Sequence, residues 1–311
     1  MRPLFFKSTW GFERSAFPDL FPKVAALGYD GVDIKIFPED DAETLRGLKE
    51  VISANGLQVV CAAKSWPVEL VNFTQLPGNT MEAHLAYYRS NIVAAMRMEP
   101  LMINVQSGCD HWTEEECIEF YWKTLEIDRE LGVVGKVCHE THRNRALFHP
   151  FRTARILKAV PGLILTGDIS HWTCVCERML CHTPEDIAVM KEVIPHIQNI
   201  HARVGTAQAS QCPYPENPVY SQQRVYFEEL WKSILDSVAR QARRDWITIT
   251  LEYGPYPYMS PHVPTTFGDL GDSEFLRYAS CLALTQAQKQ GTQIAPVGDL
   301  VPSSDRLSSR A

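Results

Sequence analysis

Four apolar runs from about residue 138 onward each end in a side chain that can bind a cation or move a proton. They read Cys138-His139-Glu140-Thr141-His142-Arg143, Gly167-Asp168-Ile169-Ser170-His171-Trp172, Ile200-His201-Ala202-Arg203 and Thr250-Leu251-Glu252-Tyr253-Gly254-Pro255. Taken singly, each carboxylate is an ordinary strand-end residue, a cap or an ion-pair partner. Brought together, three carboxylates raise one another's pKa and cannot all stay ionised without a cation. One divalent metal held by Glu140, Asp168, His201 and Glu252 removes that conflict. Three oxygen donors with one imidazole suit Mn2+, Co2+, Mg2+ or Zn2+, and the absence of a thiolate speaks against a purely structural zinc. A second run of ligand types, Cys174-Val175-Cys176 with Cys181-His182, fits no standard zinc spacing and reads as incidental thiols.

The four residues become neighbours only if different strands end at one mouth. Eight short apolar runs of strand length recur along the chain: Leu4 to Ser8, Gly31 to Ile36, Leu57 to Ala63, Leu101 to Gln106, Gly135 to Glu140, Leu163 to Asp168, Asn199 to Arg203 and Trp246 to Glu252. Amphipathic helices are expected between them over 19–27, 42–55, 80–98, 113–130, 151–159, 184–193 and 227–243. Thr113-Glu114-Glu115-Glu116 is a capping box, and Thr183-Pro184-Glu185 puts proline at a first helical position. Strands alternating with helices imply a parallel sheet, and eight such units point to one closed (β/α)8 TIM barrel over residues 1–284. In that architecture the active site lies at the carboxyl ends of the strands, where the four residues stand. No glycine-rich phosphate turn follows any of the strands, which removes the main support for an open nucleotide-binding sheet. Residues 205–224 have no periodicity and contain three prolines; a loop of that length is expected to be functional and to fold over the mouth. Residues 285–311 turn polar and are expected to be a disordered tail.

Composition narrows the partners. A formal charge of −7 argues against a chain held mainly by phosphate backbones, so no nucleic acid is expected. No run approaches the roughly 20 apolar residues of a membrane helix, and no secretion signal is apparent. A cytoplasmic protein without membrane partners is the expectation, and a homo-oligomer is compatible with it. Nine cysteines imply no disulfide framework, and Asn72-Phe73-Thr74 is read as a chance match to a glycosylation acceptor.

On its strand-end motifs, above all His139-Glu140-Thr141-His142-Arg143, Asp168-Ile169-Ser170-His171-Trp172, His201-Ala202-Arg203-Val204-Gly205 and Leu251-Glu252-Tyr253-Gly254, the chain resembles the sugar phosphate isomerases and epimerases with the xylose isomerase-like barrel. The resemblance spans roughly Leu4 to Ala283 and includes ketose epimerases, inosose dehydratases and barrel-type AP endonucleases. It implies metal ligation by Glu140, Asp168, His201 and Glu252, and contact of His171 with a substrate oxygen. Isomerisation or epimerisation of a sugar, keto-sugar or polyol-derived substrate through an enediolate is the implied chemistry, with Glu140 and Glu252 doubling as proton-transfer groups. A dehydratase-like lyase and a non-catalytic sugar-binding barrel are the alternatives. His142 and Arg203 stand at the mouth as candidate substrate contacts, and Trp10, Trp66 and Trp172 as a candidate apolar wall. Trinuclear AP endonucleases use further His and Asp ligands, where this chain has Ala63-Lys64-Ser65-Trp66 and His201-Ala202-Arg203.

Overall fold

The computed structural model describes residues 1–66, 79–260, 262 and 265–289. Eight parallel strands close a barrel in chain order: β1 (Arg2–Ser8), β2 (Gly31–Lys35), β3 (Gln58–Lys64), β4 (Met102–Gln106), β5 (Val137–Glu140), β6 (Leu165–Gly167), β7 (Ile197–Ala202) and β8 (Trp246–Leu251). Closure is made by β8 against β1, from Arg2 opposite Trp246 to Lys7 opposite Leu251. The helices are α1 (Phe17–Leu27), α2 (Ala42–Ala54), α3 (Met81–Met96), α4 (Glu114–Glu130), α5 (Pro150–Ala159), α6 (Ile169–Val175), α7 (Pro184–Val193), α8 (Ser221–Gln241) and α9 (Phe267–Lys289). The expected eight-stranded barrel is thus observed. The chain forms two compact units, Met1–Asp272, which contains all eight strands, and Ser273–Ala311, whose described residues are helical to Lys289. The expected tail lies outside the described residues from 290 onward, as does Asn72-Phe73-Thr74. Among the described residues no helix is long and apolar enough to cross a membrane.

Alternate residues of a strand face the same side, and the inward series changes character along the barrel. Leu4, Phe6, Val60, Met102 and Cys138 form an apolar cluster towards the amino ends of the strands. Burying a side chain such as Phe6 or Met102 contributes roughly 1.5–3 kcal/mol. Phe6 fits because β2 begins with glycine: a Cβ at Gly31 would lie 2.4 Å from the Phe6 ring and 2.3 Å from the Gln58 carbonyl. In β6, β7 and β8 buried polar side chains satisfy one another. Asn199 Nδ2 donates to Thr166 Oγ1 (3.0 Å), and Thr248 Oγ1 donates to Asn199 Oδ1 (2.6 Å). Asp168, His201 and Glu252 follow these residues along the chain at the ends of β6, β7 and β8, and Glu140 pairs with Thr166.

Local sequence explains most helix starts. Thr113 and Glu116 make both bonds of the capping box at α4, and Thr183 accepts from the Asp186 amide at α7. Helix α8 begins at Ser221, earlier than its apolar pattern suggests, because Asn217 caps the short turn Pro218–Tyr220 that leads into it. Helices α6 and α9 are additional to those read from the sequence. The loop after β7 also departs from expectation. None of residues 205–224 lines the mouth cavity; instead Gln211 bonds both the amide (2.8 Å) and the carbonyl (3.1 Å) of Gly254. The loop buttresses the end of β8 rather than closing over the mouth.

Candidate active site

Strands β5 to β8 deliver Glu140, Asp168, His201 and Glu252 to one point, where their ligand atoms all lie within 4.8 Å of one another. His201 Nδ1 is 3.1 Å from Glu252 Oε2 and 3.9 Å from Glu140 Oε1. Atoms bound at about 2.1 Å to a common ion sit about 3 to 4.2 Å apart, so the spacing suits one metal. Glu140 is buried, and its two oxygens differ: Oε2 accepts from Asn104 Nδ2 (2.7 Å), while Oε1 has no hydrogen-bond partner. A buried acceptor left bare costs about 1–3 kcal/mol. A cation at the cluster supplies what Oε1 lacks, and the residues therefore fit a divalent metal.

The charges show how the cluster is held without one. Burial pushes the Glu140 carboxyl up to about 7, and raises that of Asp168 above its ordinary value against the pull of Arg203. At Glu252 burial is outweighed by Arg203 and His201, which hold the carboxyl below the usual carboxylate range. His201 is the converse: burial disfavours its charge, but Glu252 and Glu140 raise its pKa well above normal. Two positive side chains thus stand in for a cation. The other nitrogen of His201, Nε2, faces Asp33 Oδ2 at 3.3 Å, and Thr250 Oγ1 donates to that oxygen (3.0 Å). A carboxylate behind the far nitrogen orients the ring so that Nδ1 points into the cluster.

Asp168 ends β6 and caps α6, accepting the Ser170 amide at 3.1 Å. Arg203, buried on the far side, bonds Asp168 Oδ2, donates from Nε to Ser170 Oγ (3.2 Å) and lies 2.8 Å from His171 Nε2. A guanidinium only donates, so His171 Nε2 is the acceptor and the proton sits on Nδ1. Burial first, then His142 and Arg203, depress the His171 pKa and keep this ring neutral. Its Nδ1 is buried and has no hydrogen-bond partner. A second group with cation-binding potential, Glu140, His142 and His171, shares Glu140 with the first. The tautomer of His171 makes that group a poor metal site, since one ring nitrogen is bonded and the other protonated.

The mouth is a cavity of about 780 Å³. Trp10, His142, Arg203, His201 and Glu252 line it. Trp66 and Trp172 do not. Trp172 is fully buried and its indole N–H donates to the Leu147 carbonyl (2.9 Å), because α6 turns the position after His171 into the core. Trp66 stacks on His84, with ring centroids 5.1 Å apart. Asp33, Asn104 and Tyr258 are site residues that strand ends alone did not reveal. Tyr258 packs edge-on against Trp10 (4.8 Å) and under the Arg203 guanidinium (5.2 Å). The signal for Asp33 and Asn104 was a polar residue at an inward position within an apolar strand.

The sequence matches the family model described as xylose isomerase-like TIM barrel over residues 21–263. No curated protein sequence matches it. Among solved structures, a D-psicose 3-epimerase from Clostridium cellulolyticum aligns with TM-score 0.57 at 13% identity, covering 90% of this chain and 97% of that one. The probable 3-DHS dehydratase AsbF from Bacillus anthracis aligns with TM-score 0.55 at 15% identity, covering 90% and 99%. Endonuclease IV from Thermus thermophilus aligns with TM-score 0.55 at 16% identity, covering 91% and 99%. At these identities the likeness establishes a shared fold, and a fold hosts many chemistries.

Proposed function

The chain belongs to the xylose isomerase-like TIM barrel family, and on that premise we propose that it is a divalent-metal-dependent isomerase or epimerase of a sugar, keto-sugar or polyol-derived substrate. The observation that carries this reading is the buried group of Glu140, Asp168, His201 and Glu252, with Glu140 Oε1 lacking a protein partner. Those four residues would hold the ion, His201 through Nδ1. When bound, the ion supplies Lewis-acid polarisation of a carbonyl oxygen, which acidifies the neighbouring carbon.

The remaining roles belong to the chain's own groups. Glu140 and Glu252 are the carboxylates available to take a proton from that carbon and return it. His171 donates its Nδ1 hydrogen to a substrate oxygen, and Arg203 fixes the tautomer that makes this donation available. Trp10, with Tyr258 against it, forms an apolar wall, and His142 stands 3.8 Å from the His171 ring. Removal of the proton leaves an enediolate; its return to the other carbon isomerises, and its return to the other face epimerises. The preference for a small molecule over nucleic acid is part of the proposal, because an endonuclease shares the fold. It is supported by the ends of β3 and β4, where Lys64 and Gln106 line the mouth in place of further ligands.

The test is incubation of metal-loaded protein with ketoses and keto-polyols in deuterated water, read by mass and NMR. Deuterium at the carbon beside the carbonyl, in a product of unchanged skeleton, is the expected result. Product short of one water would replace the isomerase with a lyase. Bound ligand with no label would leave a sugar-binding protein, and cleavage of an abasic duplex would favour the endonuclease.

A further inference from the structure

The mouth is divided by charge. Strands β5 to β8 bring the metal-binding carboxylates to one half, whereas the other half presents Lys35 from the end of β2, Lys64 from the end of β3, and Arg143 and Arg145 from the β5–α5 loop. Lys35 of β2 pairs in register with Ala62 of β3, two residues before Lys64, so the two lysines stand on adjacent strands. Two acidic residues among the described ones also line this side: Asp33 of β2, which faces His201 Nε2 at 3.3 Å, and Asp110, beside His111 at 3.7 Å.

Arg145 carries the argument. It is only 9% exposed, lines the cavity, and donates to the Asn144 carbonyl (2.7 Å). Among the described residues no carboxylate comes within ion-pair distance of its guanidinium. A buried charge is costly unless a counter-charge meets it, and arginine keeps its proton in any protein environment. Its neighbour Arg143 is likewise without a carboxylate partner among the described residues, meeting Cys174 Sγ and, at 5.0 Å, the ring of Tyr258. Guanidinium forks at the wall of a cavity match the paired oxygens of an oxyanion.

We propose that this basic half binds an anionic group of the substrate, a carboxylate or a phosphate monoester. The substrate is then a sugar or polyol derivative whose carbonyl end lies at the metal cluster and whose oxyanion lies at Arg145. The assignment of the two ends rests on the metal-site reading above. A cavity of about 780 Å³ holds one such small molecule.

The probes are inorganic phosphate and acetate, titrated calorimetrically at constant ionic strength into the full chain with and without metal. Binding in both forms is expected, weakened about tenfold or more in Arg145→Gln, partly restored in Arg145→Lys, and with metal content unchanged by elemental analysis. Tighter phosphate assigns a phosphate ester; tighter acetate assigns a carboxylate. If Arg145→Gln fails to fold, Lys64→Gln at the cavity wall serves the same comparison. Failure of wild type to bind either probe overturns the proposal, as does binding that requires metal and ignores both substitutions, which places the anion on the ion itself. Equally tight competition by duplex DNA, at matched phosphate concentration, overturns it in favour of nucleic acid. Anion binding that persists in protein unable to bind metal leaves the oxyanion site standing and removes the metal reading alone.

Discussion

Arg203 ties together more of the site than any ligand does. Its guanidinium bonds Asp168, Ser170 and His171 and comes within 3.5 Å of Glu252. Arg203→Lys keeps the charge and loses the fork. We expect metal content near wild type, with turnover lower by about 10²-fold, the lower end of what a proton-transfer or polarising group contributes; unchanged turnover at full metal occupancy would reduce Arg203 to a counter-ion. Gly254 offers a second test. A Cβ there would lie 2.2 Å from the Trp10 ring, so Gly254→Ala must move Trp10 out of the cavity wall. A stability loss of about 1–3 kcal/mol and a changed Trp fluorescence are expected, and wild-type values for both would show that the close approach is unimportant. The four residues of the candidate metal cluster were legible because a polar group ending an apolar strand stands out. Asp33 and Asn104 sit inside their strands, between Val32 and Ile34 and between Ile103 and Val105, so a search of strand ends passed them by. Trp172 was misplaced because adjacency in sequence is not adjacency on a helix, where successive residues point in different directions.

At the scale of elements, the loop after β7 acts through Gln211. Its two bonds to Gly254 are buried, and Gln211→Ala leaves both backbone groups unpaired at a cost of about 1–3 kcal/mol. Faster hydrogen exchange at the Gly254 amide is the expected signature; unaltered protection would mean that the loop supports nothing. Its role was not legible because a non-periodic, proline-containing stretch announces a loop but not the surface it packs on. Capping boxes, by contrast, are local, and the helix starts at α4 and α7 were readable. Helices α3 and α4 are joined by Tyr88, whose hydroxyl donates to Asp128 Oδ1 (2.7 Å). Burial, partly opposed by that bond, pushes the Asp128 carboxyl up to about 7. The folded state therefore holds this proton more tightly than the unfolded chain, whose carboxyl titrates near about 3.9. Between those values stability falls as pH rises, and the full penalty is present above about 7. Asp128→Asn has no proton to lose, so the difference in Tm between variant and wild type should shift in the variant's favour from pH 5 to pH 8. A difference independent of pH would contradict the raised carboxyl.

Across the whole barrel an apolar cluster of inward side chains gives way to a charged mouth, with the acidic cluster at the ends of β5 to β8 and Lys35, Lys64, Arg143 and Arg145, beside Asp33 and Asp110, on the other side. The barrel itself was legible because eight strand-length runs alternating with helical periodicity admit few closed arrangements. The basic half of the mouth was legible only in part: Lys64, Arg143 and Arg203 are candidate phosphate contacts in the sequence, without a phosphate motif, whereas nothing local marks Lys35 and Arg145 as facing the same cavity. On the proposed function, the cluster of Glu140, Asp168, His201 and Glu252 is the point on which the chemistry depends. The most direct measurement is metal stoichiometry by elemental analysis, after loading with Mn2+, Co2+, Mg2+ or Zn2+ and removal of free ion, for wild type, Asp168→Asn and His201→Ala, with folding checked by circular dichroism. About one ion per wild-type chain, falling towards none in both folded variants, is the expected result. A wild-type chain that retains no divalent ion, or variants that retain as much as wild type, would contradict a metal centre at Glu140, Asp168, His201 and Glu252.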